Sequence, residues 1–284
     1  MEESKKGLVL EGGAMRGLFS AGVMDVLLEN GIEFDGAIGV SAGAAFGCNY
    51  KSRQPGRALR YNKRFAGDRR YCSLRSLLMT GNMYNAEFCY KTIPYELDPF
   101  DNETFTNNSM EFWVVASDVN SGSAVYKKLE SYNGNAVDWM RASSSMPLAS
   151  RIVKVDGFDL LDGGMTDSIP LKKFQSMGYD KNIVILTQPR GFIKQKNRFM
   201  WLIRLMLRKY PAIVKSMARR HDMYNQETCY VFEQEKKGNT LVICPPCLLG
   251  ISRTEKNLDE LQRVYDMGRE AAVQNMDRIK SFME

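Results

Sequence analysis

The chain has 284 residues, 44% of them apolar, with 39 Lys+Arg against 33 Asp+Glu, one His and six Cys. That length fits one large domain or two small ones, and the apolar content supports a sizeable core, which excludes a disordered chain. No apolar run nears the roughly 20 residues of a membrane span, Met1 to Lys6 is polar with no signal peptide, and the sparse Cys predict reduced thiols in a cytoplasm rather than a disulfide scaffold. A single His excludes any mechanism or metal site that needs two.

The charge is unevenly spread. Residues 51–70 hold eight Lys/Arg against the single acid Asp68, and residues 190–221 hold ten with no acid at all. Two basic segments on an otherwise acidic chain fit either an anionic partner surface or solvated helix faces.

In chain order, Gly7-Leu8-Val9-Leu10 reads as a short buried strand ending at Glu11-Gly12-Gly13, and a helix follows to the stop signal Asn30-Gly31. Ala37-Ile38-Gly39-Val40 is a second strand, and the small residues Ser41 to Ala45 open another helix. Two such units predict right-handed parallel crossovers in an α/β sheet. Lys51 to Asn108 is polar, basic and rich in Tyr and Asn, and reads as short helices and loops. Phe112 to Ala116 is a strand, Ala124 to Tyr126 follows it after a turn, and Ala136 to Ser143 is helical. Arg151–Val155 and Phe158–Leu161 flank Asp156-Gly157 as a hairpin. Asn182–Leu186 and Thr240–Ile243 are further buried strands, with a basic helical stretch from Asn197 to Arg220 broken near Pro211. Ser252 to Glu255 has the form of a capping box before one long helix to about Met283.

Gly39-Val40-Ser41-Ala42-Gly43 matches G-x-S-x-G with a strand before it and a helix after it. In that context the sharp turn exposes the Ser hydroxyl, the glycines allow close approach, and the helix N-terminus presents free amides to a developing anion. A serine of this kind needs a base. The order Ser41, Asp162, His221 would copy an α/β-hydrolase triad, but His221 lies in a charged helical stretch and reads as solvent-exposed decoration. Asp162 is the carboxylate candidate: it ends the apolar run Phe158–Leu161 and precedes Gly163-Gly164, a tight turn open to substrate. Gly12-Gly13-Ala14-Met15-Arg16-Gly17 also sits at a strand end, and its amides suit an oxyanion hole; it is neither a dinucleotide fingerprint nor a P-loop.

These three motifs in this order resemble the patatin-like phospholipase family, above all the bacterial members whose first motif begins Glu-Gly-Gly. Segments 115–122 and 141–147 look similar too, so that the resemblance spans roughly residues 7 to 190. It implies a three-layer α/β/α sandwich with a mostly parallel central sheet, and a Ser–Asp dyad that hydrolyses acyl esters of lipids without cofactor or metal. Carried over, Ser41 is the nucleophile, Asp162 its base, Gly12, Gly13, Ala14 and Arg16 the oxyanion segment, and Gly39 and Gly43 the elbow. Ala14 stands where the family usually has a third Gly; at positive φ an alanine there costs roughly a kcal/mol. The expected organisation is a catalytic core over 1–190 and a helical and strand extension, 191–284, packed on the same domain.

Other readings stay beside this one. A patatin-fold protein that binds lipid or a partner with little turnover keeps the same motifs, and an acyltransferase shares the acyl-enzyme. Cys244-Pro245-Pro246-Cys247 reads as a proline turn rather than a redox or zinc motif. Arg198 to Tyr210 reads as a cap helix with Trp201 and Leu205 on its core face, the other reading being a segment that lies on an anionic membrane. Nucleic acid is not an expected partner, and the oligomeric state is left open.

Overall fold

The computed structural model describes residues 4–284, so Met1–Glu3 of the polar N-terminal stretch lie outside the described residues. Eight strands form one sheet: β1 (Lys6–Leu10), β2 (Gly36–Val40), β3 (Glu111–Asp118), β4 (Ala124–Lys128), β5 (Val153–Val155), β6 (Phe158–Asp162), β7 (Lys181–Ile185) and β8 (Thr240–Ile243). The order across it is β5-β6-β3-β2-β1-β7-β8, with β4 also on β3. The run from β3 through β2, β1 and β7 to β8 is parallel. The strands β4, β6 and β5 are antiparallel additions at one side.

The helices are α1 (Gly17–Glu29), α2 (Ala42–Lys51), α3 (Arg57–Phe65), α4 (Leu74–Thr80), α5 (Asn102–Asn107), α6 (Asn135–Ser143), α7 (Leu171–Gln175), α8 (Met200–Met206), α9 (Pro211–Ala218), α10 (Arg220–Lys236), α11 (Leu258–Gln274) and α12 (Met276–Met283). A wide π-helical stretch, Phe88–Leu97, carries Pro94.

Three layers follow from the two-residue period of the strands. Leu8, Leu10, Ala37, Ile183, Ile185, Leu241 and Ile243 face one core, shared with α1, α2, α6 and α11. Their neighbours Val9, Ile38, Val40, Val184 and Val242 face the other, shared with Leu171 and Phe174 of α7 and Tyr224 and Val231 of α10. Burial on both faces is why these strands read as continuous apolar runs instead of alternating ones.

The register of β3 positions the site. Residues Glu111–Val115 pair with β2, the last pair being Val40↔Val115. Ala116–Asp118 pair with β6, the first pair being Ala116↔Asp162. Both overlap the pairing of β3 with β4, and a strand has only two edges, so β2 and β6 share the same edge end to end. Where β2 leaves the sheet at Ser41, β6 arrives from the opposite direction at Asp162.

Several sequence expectations are corrected. The C-terminal helix is two helices broken at Asn275, and it starts at Leu258 with Asn257 as its cap. Glu255 caps a separate turn, accepting from the amides of Lys256 and Asn257. The helical stretch expected to end near His221 continues as the 17-residue α10; its few buried residues, Tyr224, Val231 and Gln234, form no legible apolar stripe. In α8 the residues facing the core are Ile203 and Leu207, whereas Trp201 is 65% and Leu205 61% exposed. Leu161, Met165 and Ile213 offer a short apolar strip that Ile203 and Leu207 fill. Cys244 and Cys247 lie in a bend after β8 with free thiols.

Candidate active site

Ser41 caps α2 with φ 56 and ψ −121, a conformation that non-glycine residues rarely adopt. The flanking glycines make the turn sterically feasible. A Cβ on Gly39 would lie 2.6 Å from the Ala44 nitrogen, and one on Gly43 would lie 2.4 Å from the Leu10 carbonyl oxygen. The Ser41 amide donates to the Ser143 hydroxyl at 3.0 Å, which ties the elbow to the end of α6.

Asp162 is 2% exposed. Its amide donates to the Ser145 carbonyl at 2.9 Å, and its own carbonyl accepts from Ser117 Oγ at 2.7 Å. Its Oδ1 accepts from the Gly164 amide at 2.8 Å. Among the described residues, Oδ2 makes no hydrogen bond of good geometry, while the Ser41 hydroxyl faces the same carboxylate closely enough to favour its charged form. Burial raises the Asp162 pKa above the usual carboxylate value and outweighs the opposing pull of Ser41, Arg220, the Gly164 amide and Arg253.

The glycine-rich turn after β1 completes the group. A Cβ on Gly12 would lie 2.9 Å from Ser41 Cβ, so the turn rides directly on the elbow. Among the described residues, nothing accepts a hydrogen bond from the amides of Gly12, Gly13 or Ala14. Ala14 has φ 50, the strained case for a residue with a Cβ. Arg16 donates its amide to the Gly13 carbonyl at 3.2 Å, and its buried Nε has no partner among the described residues. Gly12, Ala14, Ser41 and Asp162 thus meet at the carboxyl end of the parallel strands, where open α/β sheets bind ligands.

His221 stands in the first turn of α10 with its ring 3.2 Å from Asp222. Its side chain is 13% exposed rather than solvent-exposed, because Arg220 and Tyr224 of the same helix pull this face inward.

Residues not singled out by sequence hold the site in place. Glu11 is buried and accepts from the Thr187 amide at 2.6 Å and the Tyr224 hydroxyl at 2.8 Å. Thr187 Oγ1 donates to the Gly12 carbonyl at 3.0 Å, clamping the turn to the end of β7. Arg220 donates from Nε to the Gly164 carbonyl. Lys194 Nζ lies 3.9 Å from the Tyr224 ring centroid. Burial, with Arg220, Arg16 and Arg253 nearby, pulls its pKa down to about 8. Only the Glu in Glu-Gly-Gly carried a sequence signal; the others come from distant segments.

A cavity of about 420 Å³ opens on Ser41 and Ala14, within the usual size range of small-molecule sites. Phe46, Tyr61, Tyr90, Ile93 and Met140 make much of its wall apolar, and Asn82, Met83, Leu148, Ala149 and Arg253 also border it. Cys48 lines it as well, and burial pushes that thiol up to about 12. Among the described residues, no helix is long and apolar enough to cross a membrane.

A mostly parallel three-layer sheet with a strand–serine–helix elbow and a buried aspartate at one end defines an α/β/α protein with a hydrolase-like site. The chain belongs to the patatin-like phospholipase family, a family of lipid hydrolases, which matches residues 8–174. Residues 210–284 match a domain of unknown function, DUF6363. Among curated relatives, the chain is 26% identical to the uncharacterized protein YjjU of Escherichia coli (strain K12), over 92% of this chain and 74% of that one. It is 30% identical to lysophospholipase nte1 of Aspergillus terreus over 61% of this chain but 11% of the relative. Against a putative patatin-like phospholipase domain-containing protein of Caenorhabditis elegans, M110.7, it is 27% identical over 63% of this chain and 16% of that protein. Among solved structures, VipD from Legionella pneumophila aligns with TM-score 0.46 and 13% identity over 97% of this chain and 67% of that one.

Proposed function

We propose that this protein is a serine lipid acyl hydrolase, a phospholipase or esterase, working through a Ser41–Asp162 dyad. The observation that carries this reading is the seam on β3: Val40, the residue before the elbow serine, and Asp162, with its under-bonded oxygen, sit at adjacent register positions. Asp162 takes the Ser41 proton as Oγ attacks the ester carbonyl. The oxyanion is received by the unpaired amides of Gly12, Gly13 and Ala14, with Arg16 behind them. On collapse the proton passes from Asp162 to the leaving alkoxide, which departs as the alcohol. Water, deprotonated by the same carboxylate, then attacks the acyl-serine; as the acyl–Oγ bond breaks, the proton passes from Asp162 back to Ser41 Oγ and the fatty acid leaves.

An aspartate at its ordinary pKa near ~3.9 is a weak base. Burial moves Asp162 in the useful direction, toward the operating pH. The apolar wall of the cavity suits one acyl chain. The six free thiols accord with a reducing cytoplasm, where the enzyme would meet substrate at an anionic membrane surface.

The test is labelling with a fluorophosphonate probe, together with hydrolysis of a short soluble ester. Ser41→Ala should abolish labelling. Ser41→Ala and Asp162→Asn should each cost several orders of magnitude in rate, non-additively, since they act as a unit. His221→Ala should keep nearly full activity. A large loss in His221→Ala would return the base to a triad. No labelling of the wild type would favour a binding protein of the same fold, which the strain at Ala14 would then explain.

A further inference from the structure

Two short helices near the cavity, linked to its wall through a shared loop, turn apolar side chains outward. In α4 the buried residue is polar, with Leu77 half-buried beside it: Ser76 Oγ donates to the Asn82 carbonyl at 2.8 Å and Thr80 Oγ1 to the Ser76 carbonyl at 2.8 Å. Its outer side carries Leu78, 87% exposed, with Leu74 and Met79 each 69% exposed. This is the reverse of an ordinary surface helix, whose apolar stripe faces the core. In α8 Ile203 and Leu207 anchor the helix, while Trp201, Leu205 and Met206 stand exposed, as does Phe199 just before it.

Both helices rest on the same loop, residues 147–152. On one side the Met83 amide donates to the Ala149 carbonyl at 2.7 Å, the Arg151 amide to Asn82 Oδ1 at 3.0 Å, and the Ser73 amide to the Met83 carbonyl at 3.1 Å, which seats α4. On the other side Leu148 and Ile152 pack against the apolar group containing Ile203 and Leu207 of α8. Leu148, Ala149, Asn82 and Met83 also line the cavity. The exposed apolar side chains therefore flank the wall of the cavity that opens on Ser41. Basic residues surround them: Arg69, Arg70 and Arg75 around α4, Arg151 in the shared loop, and Arg198, Arg204, Arg208 and Lys209 around α8.

We infer that α4 and α8 form a two-part docking surface for an anionic lipid bilayer. The apolar side chains enter the acyl boundary and the arginines meet the headgroups. Charge complementarity and continuity with the cavity select this occupant. A lipid chain leaving the bilayer between the helices enters the cavity along the 147–152 loop without crossing bulk water. The inference rests on the lipid-hydrolase reading, and it adds α4, which follows the first basic segment, whereas α8 lies in the second.

The test uses the full chain and vesicles of phosphatidylcholine, with and without phosphatidylglycerol. The wild type should bind the anionic vesicles in low salt and release them as salt rises. Trp201 emission should shift to the blue on binding; Trp139 is buried and already shielded. The double variant Leu78→Ser/Trp201→Ser should bind at least ten-fold more weakly, and so should Arg204→Gln/Arg208→Gln. Because these side chains are exposed, unfolding midpoints and short-ester hydrolysis should remain at wild-type values.

Vesicle affinity equal in wild type and variants would overturn the inference, as would no vesicle binding at all. Self-association of the wild type that Leu78→Ser/Trp201→Ser abolishes, without vesicle binding, would give the surface to a second copy instead. Vesicle binding with no ester hydrolysis would refute the hydrolase reading and leave the docking surface standing.

Discussion

Ala14 is the residue where the proposed oxyanion turn departs from glycine, and its φ of 50 shows the departure carries strain. A left-handed conformation costs an alanine roughly 1–2 kcal/mol, while glycine gives back about 0.5–1 kcal/mol through unfolded-chain entropy. Ala14→Gly should therefore raise stability by about 0.5 kcal/mol in urea unfolding, with hydrolysis kept or increased, since the amide stays where it is. Asp162 carries the opposite compromise. Its pKa is raised by burial, so folding takes up a proton there between the ordinary and the folded value. That contribution to stability is complete below the ordinary value, near ~3.9, and is lost as pH rises through the folded one. Asp162→Asn should thus be inactive yet have a higher urea midpoint than wild type at pH 7, the gap closing toward pH 4. The acid limb of the wild-type pH–rate profile should fall above the usual carboxylate range, since the base works only when ionised.

At the scale of elements, a close backbone approach joins the first helix to the C-terminal part of the chain. The helices α1 and α11 pack backbone to backbone: a Cβ on Gly22 would lie 2.1 Å from the Tyr265 carbonyl oxygen, and one on Gly268 would lie 2.0 Å from that of Phe19. Gly268→Val should force the helices apart and cost at least about 1–3 kcal/mol, read as a lower thermal midpoint. Since α1 follows the oxyanion turn directly, hydrolysis should fall along with stability. A variant with the wild-type midpoint would mean that this contact yields freely. The elements around the elbow act together in the same way. Ser143 at the end of α6 and Ser117 on β3 hold Ser41 and Asp162 from behind, although the sequence marked their segments only as similar to a family.

At the scale of the whole chain, residues 191–284 are proposed as an extension packed on the same domain. Their strand β8 pairs with β7, and α11 buries Leu261, Val264, Tyr265 and Ala272 against the core that contains α1. A chain ended at residue 190 would bare an apolar helix face and a parallel strand edge. It should be insoluble, and the full chain should unfold in one cooperative transition by both circular dichroism and tryptophan fluorescence. A soluble, active 1–190 fragment would make the extension a separate unit.

Local chemistry determined much of this by itself. Strand cores buried on both faces show as unbroken apolar runs, and an elbow needs small residues next to its serine, so β1, β2, β7, β8 and Ser41 are legible from a few neighbouring positions. The hairpin was legible for the same reason: Asp156 and Gly157, at φ 48 and 81, are the residue types such a turn demands. Pairing across the sheet was not legible. That Asp162 continues the edge of β3 that β2 vacates depends on register between strands dozens of residues apart in the chain, and no local pattern encodes it. The same holds for Glu11 with Tyr224, for Arg220 beside Asp162, and for α10, whose small buried surface leaves no stripe. Exposure of Trp201 and Leu205 was decided by what α8 packs against. A helix apolar nearly all round carries no sign of which face its neighbours will cover, and the narrow strip offered by Leu161, Met165 and Ile213 buries Ile203 and Leu207 and leaves Trp201 and Leu205 exposed.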